Sequence, residues 1–416
     1  KNHEYSIEHK GDEFFIITNK DGCKNFKLMR CQIDFTTSTN WEQILPNRED
    51  VLLEDIEVFD KFIVLNERKN GLTQFRVLNL NDNSEYLIDL EEESYTAYLS
   101  TNLEFGTIVF RFGFSSLKTP TTIYDYNLES RKKEIKKQTK VVGGHNASEY
   151  TTKRIFAKSC DGILIPMSLV YKNNISLTGN NPTLLYGYGS YGSSMSPTFS
   201  SSRLSLINRN IIWATCHVRG GLERGMSWWN EGKMLNKKNT FSDFISCAKF
   251  LIERKYTSKK KLIGLGGSAG GLLIGNVMNQ VPELFLGAIM AVPFLDNLTT
   301  NLDHSLPLTK GELLEFSDCK NNKENFEYVR SYAPYDNIEK KDYPNILITT
   351  SLADSRVLFD EPTKYCAKLR DYKTDKNLLL LKCEMDAGHG SRSGRKNVIE
   401  DIAFDYAFAL KITEKL

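Results

Sequence analysis

The segment with the clearest chemical pattern is Gly266-Gly-Ser-Ala-Gly-Gly, in which glycines flank a serine on both sides. A strand-like run, Lys261–Leu265, precedes it, and a helix-like run, Leu272–Asn279, follows it. A serine at such a tight strand-to-helix turn has a strained backbone, and flanking glycines avoid side-chain clashes there. The turn also places the N–H of Ala269 near a developing oxyanion, at the positive end of the helix. The pattern therefore predicts Ser268 as a nucleophile and Ala269 as an oxyanion donor.

A serine hydroxyl is a weak nucleophile and needs a general base. Two histidines follow Ser268 in the sequence, His304 and His389. His389 lies on a glycine-bracketed loop just after the apolar run Leu378–Leu381, where an α/β-hydrolase fold places its base. His304 precedes a loop and is better explained by packing or by a polar surface. The sequence thus favours His389 as the base.

The base must itself be oriented by an acid, and two aspartates compete for this role. Asp354 follows the apolar run Ile346–Thr350, and Asp386 lies three residues before His389. The order Ser268, Asp354, His389 is that of the α/β-hydrolase triad. Asp354 is therefore the predicted acid, and Asp386 is better placed to fix the loop.

The first part of the chain, residues 1–147, consists of short apolar runs separated by polar turns. Examples are Phe14–Thr18, Phe62–Leu65 and Thr107–Phe112. This spacing is typical of hairpins and meanders, so we predict an all-β domain.

The pattern of apolar runs changes after about residue 148. Six short apolar runs of the buried-strand type follow, at Thr183–Tyr186, Ile211–Thr215, Lys261–Leu265, Ala288–Val292, Ile346–Thr350 and Leu378–Leu381. Helical patterns lie between several of them, notably at Thr240–Glu253 and Glu361–Tyr372. Such alternation predicts an α/β domain at residues 148–416, with a mostly parallel, doubly wound sheet covered on both faces.

The composition excludes several other classes of protein. The 416 residues carry 54 Lys and Arg against 52 Asp and Glu, a formal net charge of +2, which gives no reason to expect nucleic acid or a membrane surface as a partner. No apolar run reaches the roughly 18 residues that span a bilayer. Eight dispersed cysteines without a CxxC pair indicate neither a disulfide framework nor a zinc site, but free thiols in a reducing cytosol. We expect no cofactor and no metal.

Six ordered motifs resemble those of oligopeptidase B, the basic-residue-specific branch of the prolyl oligopeptidase family. They are Tyr186-Gly-Tyr-Gly-Ser-Tyr-Gly, His217-Val-Arg-Gly-Gly, Lys237-Lys-Asn-Thr-Phe, Gly266-Gly-Ser-Ala-Gly-Gly, Ser331-Tyr-Ala-Pro-Tyr-Asp-Asn and Ala387-Gly-His-Gly. The resemblance implies a serine endopeptidase that cleaves after Lys or Arg, with a partial β-propeller at residues 1–147 and an α/β-hydrolase domain after it. It assigns the triad to Ser268, Asp354 and His389.

The resemblance also implies roles that the residues alone do not suggest. Tyr188 matches the hydroxyl that completes the family's oxyanion hole together with the Ala269 N–H. Glu312, in a Gly-Glu segment, matches the acid that holds the P1 cation, and a carboxylate is a charge-matched partner for it. Arg356 and Tyr191 are expected to bind substrate as well.

Three positions depart from the oligopeptidase B pattern. Where oligopeptidase B has a second Glu two residues after the first, this chain has Leu314, although Glu315 is adjacent. The paired acids of the family that favour a basic P2 residue align with Ser196 and Thr198. Arg356 resembles the substrate-binding arginine of prolyl oligopeptidase more than the Gln that is usual in bacterial oligopeptidase B. We therefore expect the P1 preference to persist and a preference for dibasic sites to be weak.

At about 45 residues per blade, residues 1–147 supply about three blades of the seven that the family implies. The chain also lacks an initiator Met, so we expect a truncated sequence whose runs Phe62–Leu65 and Thr107–Phe112 are exposed and prone to association.

Two alternative functions stay open. One is an esterase or acylaminoacyl-type hydrolase on the same scaffold, distinguished by whether Glu312 faces the P1 pocket. The other is an inactive fragment.

Overall fold

The structure is a computed structural model that describes residues 3–390 and 392–414. The chain divides into two compact units. The first comprises Lys1–Ala147, Ser196–Ser200 and Leu222–Trp228, and the second comprises Ser148–Met195, Ser201–Gly221 and Trp229–Leu416. The first unit is all-β and the second is α/β, so the predicted fold class is confirmed.

The described residues of the first unit form three antiparallel sheets of four strands each. Each strand pairs with its neighbour along the chain, which is a meander. The strands are β1 (Tyr5–Lys10), β2 (Glu13–Thr18), β3 (Lys27–Gln32) and β4 (Glu42–Leu45); β5 (Val51–Val58), β6 (Phe62–Lys69), β7 (Leu72–Asn79) and β8 (Glu85–Leu87); and β9 (Tyr95–Leu99), β10 (Val109–Ser116), β11 (Thr122–Asn127) and β12 (Lys133–Gln138).

Strand β6 is buried on both faces. Phe62 and Val64 pack into a cluster that the second sheet shares with the third, where they meet Phe110. Ile63 and Leu65 point the other way, into a cluster that the second sheet shares with the first. Successive side chains of a strand alternate between faces, so a continuous apolar run suits a strand covered on both sides.

The expectation that Phe62–Leu65 and Thr107–Phe112 are exposed is therefore wrong for the first run and for the two phenylalanines of the second, whereas Ile108 and Val109 are partly exposed. The four residues from Phe62 to Leu65 are at most 3% exposed, and Phe110 and Phe112 have no exposed surface. Neighbouring sheets within the unit cover these side chains even with three sheets present.

The second unit is built on one sheet, which has eight strands in the described part of the chain. The strands are β13 (Tyr150–Lys158), β14 (Leu164–Lys172), β15 (Thr183–Tyr186), β16 (Ile212–Cys216), β17 (Leu262–Gly267), β18 (Gly287–Ala291), β19 (Asn345–Ser351) and β20 (Leu379–Glu384). Their order in the sheet is β13-β14-β16-β15-β17-β18-β19-β20. Strands β15 to β20 are parallel to one another, and β14 is antiparallel to both of its neighbours, β13 and β16.

Helices follow many of the strands. They are α1 (Leu204–Ile207), α2 (Met226–Asn230), α3 (Lys238–Glu253), α4 (Ala269–Gln280), α5 (Asn297–Leu302), α6 (Thr309–Phe316), α7 (Lys323–Arg330), α8 (Asp360–Tyr372) and α9 (Arg395–Ile412). No helix within the described residues has the length and apolar character needed to cross a membrane.

The parallel strands position the chemically interesting segments. Ser268 follows β17, Asp354 follows β19 and His389 follows β20. Since the carboxyl ends of parallel strands meet at one edge of a sheet, all three residues lie at the same edge, where ligands bind in open α/β sheets.

Candidate active site

Ser268 lies at a sharp turn between β17 and α4, with backbone angles φ +53° and ψ −122°. A Cβ atom on Gly266 would lie 2.2 Å from the carbonyl oxygen of Gly270, and one on Gly271 would lie 2.2 Å from the Cβ of Pro293. Both positions therefore require glycine. The Ser268 N–H donates to the Ala291 carbonyl at 2.9 Å, which helps to hold the strained backbone.

His389 and Asp354 are in direct contact. The Nδ1 atom of His389 lies 2.7 Å from Oδ2 of Asp354, which is 3% exposed. The second carboxylate oxygen, Oδ1, accepts from the backbone N–H groups of Arg356 at 2.9 Å and Val357 at 3.0 Å. Because a carboxylate only accepts, Nδ1 of His389 donates, and Nε2 is left able to accept a proton.

The two alternatives considered for the base and the acid have different surroundings. Asp386 is exposed, and its carboxylate makes no hydrogen bond to His389 in the described chain. His304 is partly buried and does not line the cavity that contains Ser268. The geometry therefore favours Asp354 and His389 over both.

A cavity of about 420 Å³ opens at Ser268 and brings together most of the residues singled out in the sequence. It contains the predicted nucleophile and base, two of the three tyrosines of the Tyr-Gly-Tyr-Gly-Ser-Tyr segment, the acid of the Gly-Glu segment and an exposed arginine. Its lining consists of Tyr188, Tyr191, Ser268, Phe294, Leu308, Gly311, Glu312, Arg356, Val357 and His389.

Two hydrogen-bond donors lie beside Ser268. Burial raises the pKa of the Tyr188 phenol, and a hydrogen bond with Ser268 acts in the opposite direction. The phenol therefore stays protonated at neutral pH and is able to donate. Ala269 is the first residue of α4, so its N–H has no carbonyl of a preceding helical turn to bond to.

Glu312 is the buried acid of the cavity, with 9% of its surface exposed. Its Oε1 accepts from the Tyr191 hydroxyl at 3.3 Å, while Oε2 is buried without a hydrogen-bond partner among the described residues. Burial raises the pKa of Glu312, the Tyr191 hydrogen bond lowers it, and the neighbouring charge of Glu315 raises it further. A buried carboxylate oxygen without a donor is costly, so this site suits a cationic ligand.

The adjacent acid, Glu315, has a different environment. Its Oε1 lies 3.2 Å from Nζ of Lys237, and its Oε2 accepts from Nε1 of Trp229 at 2.8 Å. Leu314 is 70% exposed and does not line the cavity, because it lies on another face of helix α6. The ion pair between Lys237 and Glu315 was not foreseen. The only signal was Lys237 in the Lys-Lys-Asn-Thr-Phe motif, which gave no hint of its partner.

Arg356 lies at the cavity with an exposed side chain. Its guanidinium forms no ion pair with any described residue, and its charge lowers the pKa of Tyr188. A free guanidinium at this place is able to hydrogen-bond a carbonyl or carboxylate of a ligand.

The sequence and the fold both match known proteins. Residues 197–415 match the prolyl oligopeptidase family, and residues 1–139 match the prolyl oligopeptidase N-terminal beta-propeller domain. Dipeptidyl aminopeptidase BI of Pseudoxanthomonas mexicana is 41% identical over 409 residues, 98% of this chain and 56% of that protein. Protease 2 of Moraxella lacunata is 41% identical over 407 residues, 98% of this chain and 58% of that protein.

The fold also matches solved structures of oligopeptidase B. Oligopeptidase B from Leishmania major has a TM-score of 0.92 and 37% identity, covering 100% of this chain and 59% of that chain. Oligopeptidase B from Trypanosoma brucei, with covalently bound antipain, has a TM-score of 0.91 and 39% identity, with the same coverage. The chain thus spans less than two thirds of the length of these relatives.

Proposed function

This chain belongs to the prolyl oligopeptidase family, and we propose that it is a serine endopeptidase that cleaves peptide bonds on the carboxyl side of Lys or Arg. The observation that carries the specificity is the environment of Glu312. It lines the cavity beside Ser268, and its Oε2 is buried without a partner among the described residues.

The balance of buried charge supports a basic P1 residue. Glu312 and Glu315 are both buried on α6, and one buried ammonium, that of Lys237, pairs with Glu315. One carboxylate is left without a cation of its own. A guanidinium or ammonium entering the cavity supplies that charge, and for arginine the contact with the carboxylate can be bidentate.

The proposed reaction is acyl transfer. The Ser268 hydroxyl attacks the carbonyl carbon of the scissile bond while Nε2 of His389 takes its proton, and Asp354 holds the imidazole in the required tautomer. The Tyr188 hydroxyl and the Ala269 N–H donate to the oxyanion of the tetrahedral intermediate. His389 then gives its proton to the leaving amine. Water enters, loses a proton to His389 and hydrolyses the acyl-enzyme.

The exposed Arg356 is proposed to bind the peptide backbone of the substrate, since its guanidinium lines the same cavity. Tyr191 is proposed to orient Glu312 through the hydrogen bond between them. The alternative of an esterase or acylaminoacyl-type hydrolase is less well supported, because a neutral acyl group gives Glu312 no partner. Similarity to oligopeptidase B structures supports the same choice.

Active-site labelling tests this proposal. A fluorophosphonate should label Ser268, located by peptide mass spectrometry, and the Ser268→Ala variant should not be labelled. A peptide aldehyde with P1 Arg should block labelling at a concentration about 30-fold or more below that needed with P1 citrulline, its neutral isostere. Labelling at another serine would refute the nucleophile, and equal potency of the two aldehydes would refute the specificity.

A further inference from the structure

Lys237 is a buried lysine next to the cavity, although it does not line it. Its side chain is 1% exposed. The Nζ atom donates to the carbonyl of Gly189 at 2.7 Å and to the hydroxyl of Ser190 at 2.6 Å, and it pairs with Glu315 at 3.2 Å. A lysine is rarely buried unless it is paired, so all three contacts serve to compensate its desolvation.

The first two contacts fall on the middle of the loop Gly187–Gly192. Tyr188 precedes Gly189 and reaches Ser268, while Tyr191 follows Ser190 and donates to Glu312. Gly189 and Tyr191 have positive φ angles of +70° and +59°. A side chain such as that of Tyr191 rarely adopts this conformation, so surrounding contacts must hold it.

The third contact ties the loop to helix α6, which carries Glu312. Glu315 lies one turn after Glu312 and is held from its other oxygen by Trp229. The ammonium of Lys237 therefore joins two elements of the cavity, the loop with both tyrosines and the helix with the acid.

We propose that Lys237 is a positioning residue for Tyr188 and Tyr191, acting through its contacts with Gly189, Ser190 and Glu315. It touches neither substrate nor the reacting atoms. It keeps the Tyr188 hydroxyl where the oxyanion forms, and it neutralises Glu315 so that Glu312 is the carboxylate left for a cation. The second effect rests on the proposed function; the first needs only that Ser268 performs acyl transfer.

The test is a double-mutant cycle in the complete protein. Lys237→Met combined with Glu315→Gln removes both charges of the pair, so that neither is left buried without the other. Displacing a catalytic donor by about 1 Å costs about 10²-fold, so kcat should fall about 10- to 100-fold. Glu312 keeps its charge even where its hydrogen bond with Tyr191 shifts, so the ratio of kcat/KM for P1 Arg over citrulline should change by less than about 3-fold, well below one decade or 1.4 kcal/mol.

Tyr188→Phe completes the cycle. This change alone should lower kcat by about 10²- to 10³-fold. If Lys237 acts through Tyr188, adding Lys237→Met and Glu315→Gln to Tyr188→Phe should lower kcat by less than about 3-fold more, because the donor is already lost. Multiplicative losses would overturn the proposal. An unchanged kcat in the folded Lys237→Met/Glu315→Gln protein, with only a lower melting temperature, would also overturn it.

Ser190→Ala keeps the proposal testable if the Lys237→Met/Glu315→Gln protein does not fold. The Ser190→Ala change removes one hydrogen bond of Lys237 and no charge. It should lower kcat about 3- to 10-fold, again without a further loss in the Tyr188→Phe background. A full loss in that background would contradict the proposal. Repeating the cycle with p-nitrophenyl acetate, which has no P1 side chain, separates this result from the P1 preference.

Discussion

The contact between Asp354 and His389 gives the most specific prediction, for the change Asp354→Asn. The asparagine carbonyl oxygen is able to replace Oδ1 and still accept from the N–H groups of Arg356 and Val357. Its amide nitrogen then faces Nδ1 of His389, which lies 2.7 Å from Oδ2 in the native protein. Two donors cannot bond each other, so the imidazole must put its proton on Nε2.

An imidazole with its proton on Nε2 is unable to take the proton of Ser268. We therefore expect kcat to fall by about 10⁴-fold, equal to about 5.5 kcal/mol of lost transition-state stabilisation. The melting temperature should change little, since the hydrogen bonds of the loop are retained.

The assay is kcat for a chromogenic Arg substrate, with unfolding followed in parallel. Asp386→Asn is the matched control, because Asp386 is the exposed acid three residues before His389, and its kcat should stay within about 2-fold of the native value, as surface changes usually do little. A loss below 10-fold for Asp354→Asn, or a larger loss for Asp386→Asn, would refute the assignment of the acid.

Two further predictions concern pH. Burial raises the pKa of Glu312 above its usual 4.5, so the preference for P1 Arg over citrulline should weaken as pH falls towards that raised value. Glu312→Gln should abolish this pH dependence. The measurement is the ratio of kcat/KM for the two substrates between about pH 5 and 8, and a ratio that does not change with pH in the native protein would contradict the prediction. Burial raises the pKa of Glu361 from 4.5 to about 8, so the folded protein keeps a proton that the unfolded chain releases, and stability falls as pH rises between these values. Between about pH 6 and 9 this fall amounts to about 3 kcal/mol, because it runs at about 1.4 kcal/mol per pH unit and ends near pH 8. Glu361→Gln should remove it, as measured by denaturant unfolding at these two pH values, and an equal pH dependence in both proteins would refute the prediction.

The sequence predicted the centre of the second unit better than its edge. All six apolar runs assigned to buried strands are strands of the sheet, because parallel strands covered on both faces need continuous apolar sequence. Strands β13 and β14 were not predicted. β13 reads Tyr-Thr-Thr-Lys-Arg-Ile-Phe-Ala-Lys and is only partly buried, so its pattern resembles a polar connection.

The site residues could be predicted where a short local pattern is sufficient. The motif from Gly266 to Gly271 predicts the turn at Ser268, and the ends of predicted strands indicate Asp354 and His389. The ion pair between Lys237 and Glu315 joins residues 78 positions apart. No local pattern encodes such a pair, because it depends on how a loop and a helix pack.

The departure at Leu314 has a similar explanation. Helix α6 turns about 100° per residue, so the residue three positions after Glu312 returns to its face and the residue two positions after does not. Glu315 is accordingly buried, whereas Leu314 is exposed. Counting along the sequence alone gave no reason to expect that Glu315 is already neutralised.

The most direct test is the ratio of kcat/KM for two peptides that differ only in P1, Arg against citrulline. The native protein should favour Arg by about 30-fold or more, since a buried charge pair is worth at least about 2 kcal/mol. Glu312→Gln should reduce that ratio to about 3-fold or less, while Glu324→Gln, which removes the same charge from an exposed position on α7, should leave it unchanged. A native-like ratio in Glu312→Gln would contradict the assignment of Glu312 as the residue that holds the P1 cation.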